Sequence, residues 1–307
     1  MGTPEFSLPS LDALVTENFP VVAVYTQPDR KAGRGQRVVS SPVKRYALSH
    51  ALEVVQIEKF RETGTIERLA AFSPDLIVVA AFGLLLPPEV LSIPKFGCLN
   101  VHPSLLPRHR GASPIAGAML DGDDTTGVTI MIMDAGMDTG PILSREKVPI
   151  SDEDTTGSLE AKLAELGARL LVETIPRWLE RRIKPEPQDD SQATYTRVIK
   201  KEDGKIDWHL ATKELCRQVR AFDPWPGSFT YWMGSRLKLV KVLPLHGEKS
   251  GEPGRVVALP SPAPVAVGVQ TGDGVLGLLR VQLEGKRELP ADEFARGQRD
   301  FIGSNLL

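Results

Sequence analysis

Two continuous apolar runs, VVAVYT at 21–26 and DLIVVAAF at 75–82, constrain this chain more than anything else in it. Both are rich in β-branched residues and neither alternates apolar with polar. A strand of that kind is covered on both faces. The intervals between such runs read as helices. Ser10 is a candidate N-cap for a short helix near the start. Ser41-Pro42 places a capping hydroxyl before a proline at the first helical position, opening a helix to about Ala51. A second helix covers about Ile66 to Phe72. Strands alternating with helices give an α/β fold: a doubly wound, mostly parallel, Rossmann-like sheet with helices on both faces. Ligands of such sheets bind beyond the carboxyl ends of the strands.

The later chain keeps this character to about residue 184. Cys98 to His102 is a strand, Gly111 to Leu120 a helix, Thr126 to Met133 a strand, and Ile142 to Ile150 an edge strand. A long helix runs from about Ser158 to Arg181, and Pro176 should kink it. Residues 185–204 are polar and proline-bearing, which reads as a linker. From 205 to 307 the pattern changes. A short helix carrying Leu215, Val219 and Phe222 precedes five short strands separated by glycine and proline. That spacing suggests a small C-terminal OB-like β-barrel.

Composition narrows the functional classes. Hydrophobic residues make up 41% and charged residues 25%, ordinary for a globular protein. No run of eighteen apolar residues could span a bilayer. The first ten residues lack the basic and apolar regions of a signal peptide. Cys98 and Cys216 lie far apart with no metal-ligand spacing, and read as reduced thiols in a cytoplasmic protein. The net charge of −2 does not announce a nucleic-acid binder. The chain beyond Asp203 is mildly basic, however, which permits RNA contact. Arg30, Lys31, Arg34 and Arg37 surround Gly33 and Gly35 in a basic loop. Those residues fit a solvated surface loop or a contact to a phosphate backbone.

The chemistry concentrates in GCLNVHPSLLPRHRGASP, 97–114. Asn100 and His102 point to the same side of an extended strand, because side chains alternate with period two. Pro103 and Pro107 stop strand pairing and stiffen the loop that follows. An amide can donate to an oxygen that becomes negative, and an imidazole can donate or move a proton near neutral pH. A second polar turn, MDAGMDTGP, carries Asp134 and Asp138. A carboxylate beside His102 would orient the ring and favour its charged form. The set suits acyl transfer through an oxyanion. An Asn-x-His at a strand end also serves as an ordinary hydrogen-bonded loop contact. The leucines of GLLLPPEVL, which leave the second apolar run, suit either a flat aromatic ligand or plain core.

NVHPSLLPRHRGASPI, followed by TGVTIMIMDAGMDTGPIL, resembles the signature of the folate-dependent formyltransferases. GTPEF, QPDRKAGRG, SPVK, LAELGA, KEDGKIDW and RAFDPWPG extend the resemblance over essentially the whole chain, towards the members that formylate the methionine carried by initiator tRNA. The resemblance implies an enzyme with 10-formyltetrahydrofolate as formyl donor and initiator methionyl-tRNA as acceptor, and no bound metal. It implies a catalytic domain over 1–184 and a tRNA-binding domain over 205–307. By the same resemblance Asn100, His102 and Asp138 would be catalytic. Ser104, Leu105, Leu106 and Pro107 would contact folate, and Phe82, Leu84 and Leu85 would line the pterin pocket with Asp134. Arg30, Lys31, Arg34 and Arg37 would enter the acceptor-stem end of the tRNA. A monomer with no membrane partner is expected. Two alternatives stand beside this: a formyltransferase acting on a sugar-nucleotide amine, and a non-catalytic folate-binding regulator, since fold does not fix function.

One further expectation concerns the start. Only Met1 precedes the GTPEF turn, whereas the resembled proteins carry an apolar strand just before it. The 307-residue form is expected to be less stable than one extended upstream by such a strand, whose absence would leave main-chain groups unpaired.

Overall fold

The computed structural model describes residues 1–32, 37–245, 251–260 and 263–307. In chain order its elements are α1 (Leu8–Thr16), β1 (Val24–Thr26), β2 (Arg30–Ala32), β3 (Arg37–Val39), α2 (Pro42–Ser49), β4 (Val54–Gln56), α3 (Thr65–Ala71), β5 (Ile77–Val79), α4 (Pro88–Leu91), β6 (Cys98–His102), β7 (Arg110–Gly111) and α5 (Pro114–Asp121). These are followed by β8 (Thr125–Ile132), β9 (Ile142–Pro149), α6 (Thr156–Leu179), β10 (Tyr195–Thr196), α7 (Thr212–Ala221), β11 (Ser228–Trp232), β12 (Ser235–Leu245), β13 (Val256–Ala258), β14 (Val267–Gln270), β15 (Val275–Leu283), β16 (Glu288–Pro290) and α8 (Ala291–Gly297). The chain forms two units. One holds Met1–Pro114, Thr125–Pro149 and Leu159–Thr196; the other holds Ile115–Asp124, Ile150–Ser158 and Arg197–Leu307.

The first unit is built on two sheets. In one, β1 and β4 pair in parallel over three residues each. In the other the order is β5-β6-β8-β9, with β5 and β6 parallel and the remaining pairs antiparallel. The parallel expectation therefore holds for the pairs β1-β4 and β5-β6, while the sheet turns antiparallel through β8 and β9. The apolar runs are longer than the strands they form, because a ladder exists only where a neighbour pairs. Met1 and Gly2 stand between β1 and β5: Gly2 N–H donates to Tyr25 O at 3.0 Å, and Ala80 N–H to Met1 O at 3.0 Å. A cavity of about 280 Å³, lined by Phe19, Val21, Ala23, Val78, Ile175 and Leu179 among others, adjoins them.

Local sequence explains the helices. Ser41 caps α2 by accepting from Lys44 N–H at 3.1 Å, with Pro42 at its first position. Ser10 does not cap. It lies inside α1, and the chain enters that helix through a 3-10 turn at Glu5–Ser7. The long helix α6 buries Leu159, Leu163, Gly167, Leu170, Leu171 and Ile175 along one stripe, and Pro176 falls near its end. Residues 30–39, read as a loop, instead contain the antiparallel pair β2 and β3. The stretch read as a linker is partly structured: β10 pairs in parallel with β7 inside the first unit.

The second unit carries an antiparallel sheet in the order β11-β12-β15-β14-β13, with β16 added on β15. Its core gathers Trp208, Leu215, Val219, Trp232, Phe294 and Phe301, among others. Trp232, Phe294 and Phe301 pack edge to face in all three pairings. The C-terminal residues bridge the free edges of this sheet. Leu307 exchanges main-chain hydrogen bonds with Tyr231 of β11, and Leu306 N–H donates to Gly254 O, just before β13.

Candidate active site

Strand β6 presents the site. It is hydrogen-bonded on both sides, with Asn100 opposite Val79 of β5 and Met131 of β8, and His102 opposite Thr129. Leu99 and Val101 are buried on its other face. There α6 approaches closely: a Cβ on Gly167 would lie 2.6 Å from Val101 Cγ1. A strand gripped by two neighbours and a helix holds its side chains in fixed directions.

The loop after β8 brings the carboxylate. Asp134 accepts from Gly136 N–H at 3.0 Å and from Thr139 Oγ1 at 2.6 Å, closing the turn on itself. Four residues on, Asp138 takes φ +54°, a left-handed conformation uncommon for a side chain of any size. Its Oδ1 lies 3.4 Å from Asn100 Nδ2, its Oδ2 accepts from Gly111 N–H at 2.9 Å, and Oδ2 stands 3.7 Å from His102 Nδ1. One carboxylate thus gathers the amide and the imidazole. Of the two aspartates, Asp138 faces His102 and Asp134 builds the turn.

His102 is only 3% exposed. Its Nε2 lies 3.1 Å from the His109 carbonyl, so Nε2 carries the hydrogen of the neutral ring and Nδ1 keeps its lone pair towards Asp138. Burial lowers the imidazole pKa; the Asp138 charge and the bond to His109 oppose this, and the net shift is downward. Asp138 favours the charged ring, as expected of a neighbouring carboxylate, but desolvation outweighs it.

The other expected residues fall into distinct settings. Ser104 is buried and donates to Arg108 O at 2.7 Å. Thr129 Oγ1 receives Leu106 N–H and donates to Ser104 O, clipping this loop onto β8. Leu106 packs with Met131 and Ile142, while Leu105 and Pro107 are half-buried. Phe82 does not offer its ring. It is 1% exposed and packed near Phe60 in the core, and its carbonyl accepts from Gln27 Nε2 at 2.9 Å and Thr3 Oγ1 at 3.3 Å. Leu84 is half-buried in the same cluster and Leu85 is 89% exposed. Arg30 is exposed and donates to Gln27 Oε1. Lys31 and Arg37 lie in β2 and β3, and Arg34 lies outside the described residues. The base of this hairpin is tied down by Asp29, which Lys44 and Gln56 hold below the usual carboxylate range.

Sequence reasoning missed five residues that support the site. Gly111 supplies the main-chain donor to Asp138. Gln188 donates to the Asp138 and Gly140 carbonyls at 2.8 and 2.7 Å. Arg110 grips Gln188, and Thr194 and Thr196 bind the main chain of 109–113. Each of these acts through a contact remote in sequence, so no local pattern marks it.

The family model for formyl transferase matches residues 1–175, and that for the formyl transferase C-terminal domain matches 198–299. The chain belongs to the formyl transferase family. Among its relatives within that family, a methionyl-tRNA formyltransferase of Methylococcus capsulatus is 45% identical over 293 residues, 95% of this chain and 94% of the relative. Two solved structures share the fold. The sugar 3N-formyl transferase WlaRD, solved with dTDP and 5-N-formyl-THF, superposes with a TM-score of 0.65 at 19% identity, covering 93% of this chain and 97% of that one. HypX from Aquifex aeolicus, solved with tetrahydrofolic acid, gives 0.58 at 22% identity over 84% of this chain and 44% of that one. Both family regions lie in sequence on either side of Gln188.

Proposed function

We propose that this formyltransferase moves a formyl group from 10-formyltetrahydrofolate to the amino group of initiator methionyl-tRNA, in the cytoplasm. The observation that carries the reading is the cluster of Asn100 and His102 on β6 with Asp138 from the loop after β8, in a chain 45% identical over nearly its full length to a methionyl-tRNA formyltransferase. The half-buried Leu84 and Leu105 and the exposed Leu85 leave apolar surface that fits a planar folate ring. The bound donor supplies a formyl carbon held on nitrogen.

The residues divide the work. Asn100 uses an amide hydrogen to stabilise the formyl oxygen as it gains charge while the amine attacks. The neutral His102 accepts the proton that the amine gives up, at Nδ1, where the Asp138 carboxylate stabilises it. The same proton is then available to the departing nitrogen. The carbon–nitrogen bond to the acceptor forms, the bond to the donor breaks, and one proton passes between the two nitrogens. Ser104–Pro107 hold the donor, and the basic residues Arg30, Lys31, Arg34 and Arg37 meet the acceptor stem.

The antiparallel sheet of the second unit serves as an OB-like tRNA-binding surface. Exposed Trp225, Tyr231 and Met233 offer stacking area, and Arg236 lies 3.7 Å over the Phe229 ring. A single-turnover assay with 10-formyltetrahydrofolate and charged initiator tRNA tests the function, with glycinamide ribonucleotide and an amino-sugar nucleotide as rival acceptors. Formyl-methionyl-tRNA should form and the rivals should stay unmodified. Transfer to a rival alone, or to none, would overturn the reading.

A further inference from the structure

Among the described residues Arg110 is the largest side chain buried to 1% exposure, and its guanidinium bonds to Gln188, Asp190 and Tyr195 rather than to the cluster itself. Its Nε and Nη2 both donate to Gln188 Oε1, at 3.0 and 2.9 Å. Nη2 also reaches Asp190 at 2.7 Å, and Nη1 reaches the Tyr195 hydroxyl at 3.1 Å. A guanidinium has only donors, so it fixes which end of the Gln188 amide faces it. The oxygen must point at Arg110, and the NH2 must then point the other way. There it meets the Asp138 and Gly140 carbonyls.

We propose that Gln188 is a positioning residue for Asp138, oriented by Arg110. This deepens the formyl-transfer reading and rests on it. Asp138 sits in a left-handed conformation that a side-chain-bearing residue keeps only where its surroundings impose it. Two carbonyls of its turn, at 138 and 140, are captured by one amide. The Gly111 amide captures its carboxylate from the adjoining residue of Arg110. Arg110 therefore acts on Asp138 by two routes, through Gln188 and through its own main chain. The backbone of 110 is in turn locked to the 194–196 segment: Arg110 N–H donates to Thr194 O at 2.9 Å and Thr196 Oγ1 donates to Arg110 O at 3.1 Å. Loosening the amide lets the turn relax, and the carboxylate then leaves the point 3.7 Å from His102 Nδ1 where its charge supports the incoming proton.

The experiment compares wild type with Gln188→Met, which keeps the bulk and loses the amide, and with Gln188→Glu, which keeps the shape but cannot donate to two carbonyls. Each is read as kcat, as KM for both substrates, and as the pH dependence of kcat. Misplacing a positioned group by about 1 Å can cost on the order of 100-fold. Both variants should lose about that much in kcat with KM within about twofold, and the acidic limb of the profile should move to lower pH. In an Asp138→Asn background the same changes should add little, because Gln188 acts through that carboxylate. Near-wild-type kcat in a folded variant, an unmoved acidic limb, or a full additive loss in the Asp138→Asn background would overturn the proposal. So would failure of both variants to fold, which would make Gln188 a residue of the fold alone. Inactive wild type would instead defeat the formyl-transfer reading.

Discussion

At the residue scale the pH response follows from burial. The His102 ring is held below its ordinary value by desolvation, and Asp138 is the charge that opposes this. The neutral ring is the working form. Turnover should therefore stay level as pH falls through 6.5 and decline only below it. Asp138→Asn removes the opposing charge, so the limb should move further down in pH while the rate itself falls. A limb that rises in pH in the variant would reverse the assigned electrostatics. Stability carries the same sign. The unfolded ring takes up its proton near pH 6.5 and the folded ring only lower, so stability falls as pH drops below 6.5 and stops falling at the folded value. Asn100→Ala removes the donor to the developing charge and should cost about 100- to 1000-fold in kcat, measured in single turnover, with little change in KM.

At the element scale the strand and the helix behind it are one device. Val101 lies between Asn100 and His102, and Gly167 of α6 is what allows the helix to rest against it. Gly167→Ala would force a Cβ into that contact. Overpacking of this kind costs about 1–3 kcal/mol, which should lower the melting temperature by several degrees and reduce activity by displacing β6. An unchanged melting temperature would show that the two elements are not in such close contact. This element was legible in the sequence. Cys98 to His102 has the expected bounds, and the period of two placed Asn100 and His102 on one side. The capping of α2 by Ser41 was legible for a similar reason, since both signals are local. What could not be read was pairing at a distance. Neither 195–196 nor 110–111 has the length or apolar content of a strand, yet each is a strand because it found the other. For Phe82 the residue type suits a pocket and a core equally, and only packing against Phe60 decides. The direction of the His102 shift depends on burial, which no local pattern reports.

At the scale of the whole molecule, each unit is closed by a segment remote in sequence. In the second unit the last residues do this: Leu306 is buried in the core, and Leu307 pairs with Tyr231. Deleting residues 305–307 should expose two sheet edges and remove one buried leucine, a loss of about 2–5 kcal/mol. Hydrogen exchange should then quicken at Tyr231; unchanged protection there would defeat the idea. In the first unit the closing segment is 188–196, which family models at 1–175 and 198–299 leave between them. That placement bears on how such enzymes can be recombined. A chimaera that joins this α/β half to the C-terminal half of a relative at residue 176 would import a foreign partner for Arg110 and Asp138. Joining after Thr196 would keep the native one. The point at which two genes can be spliced is therefore set by the hydrogen bonds of one glutamine, which lies beyond Leu179, the last residue of the long helix.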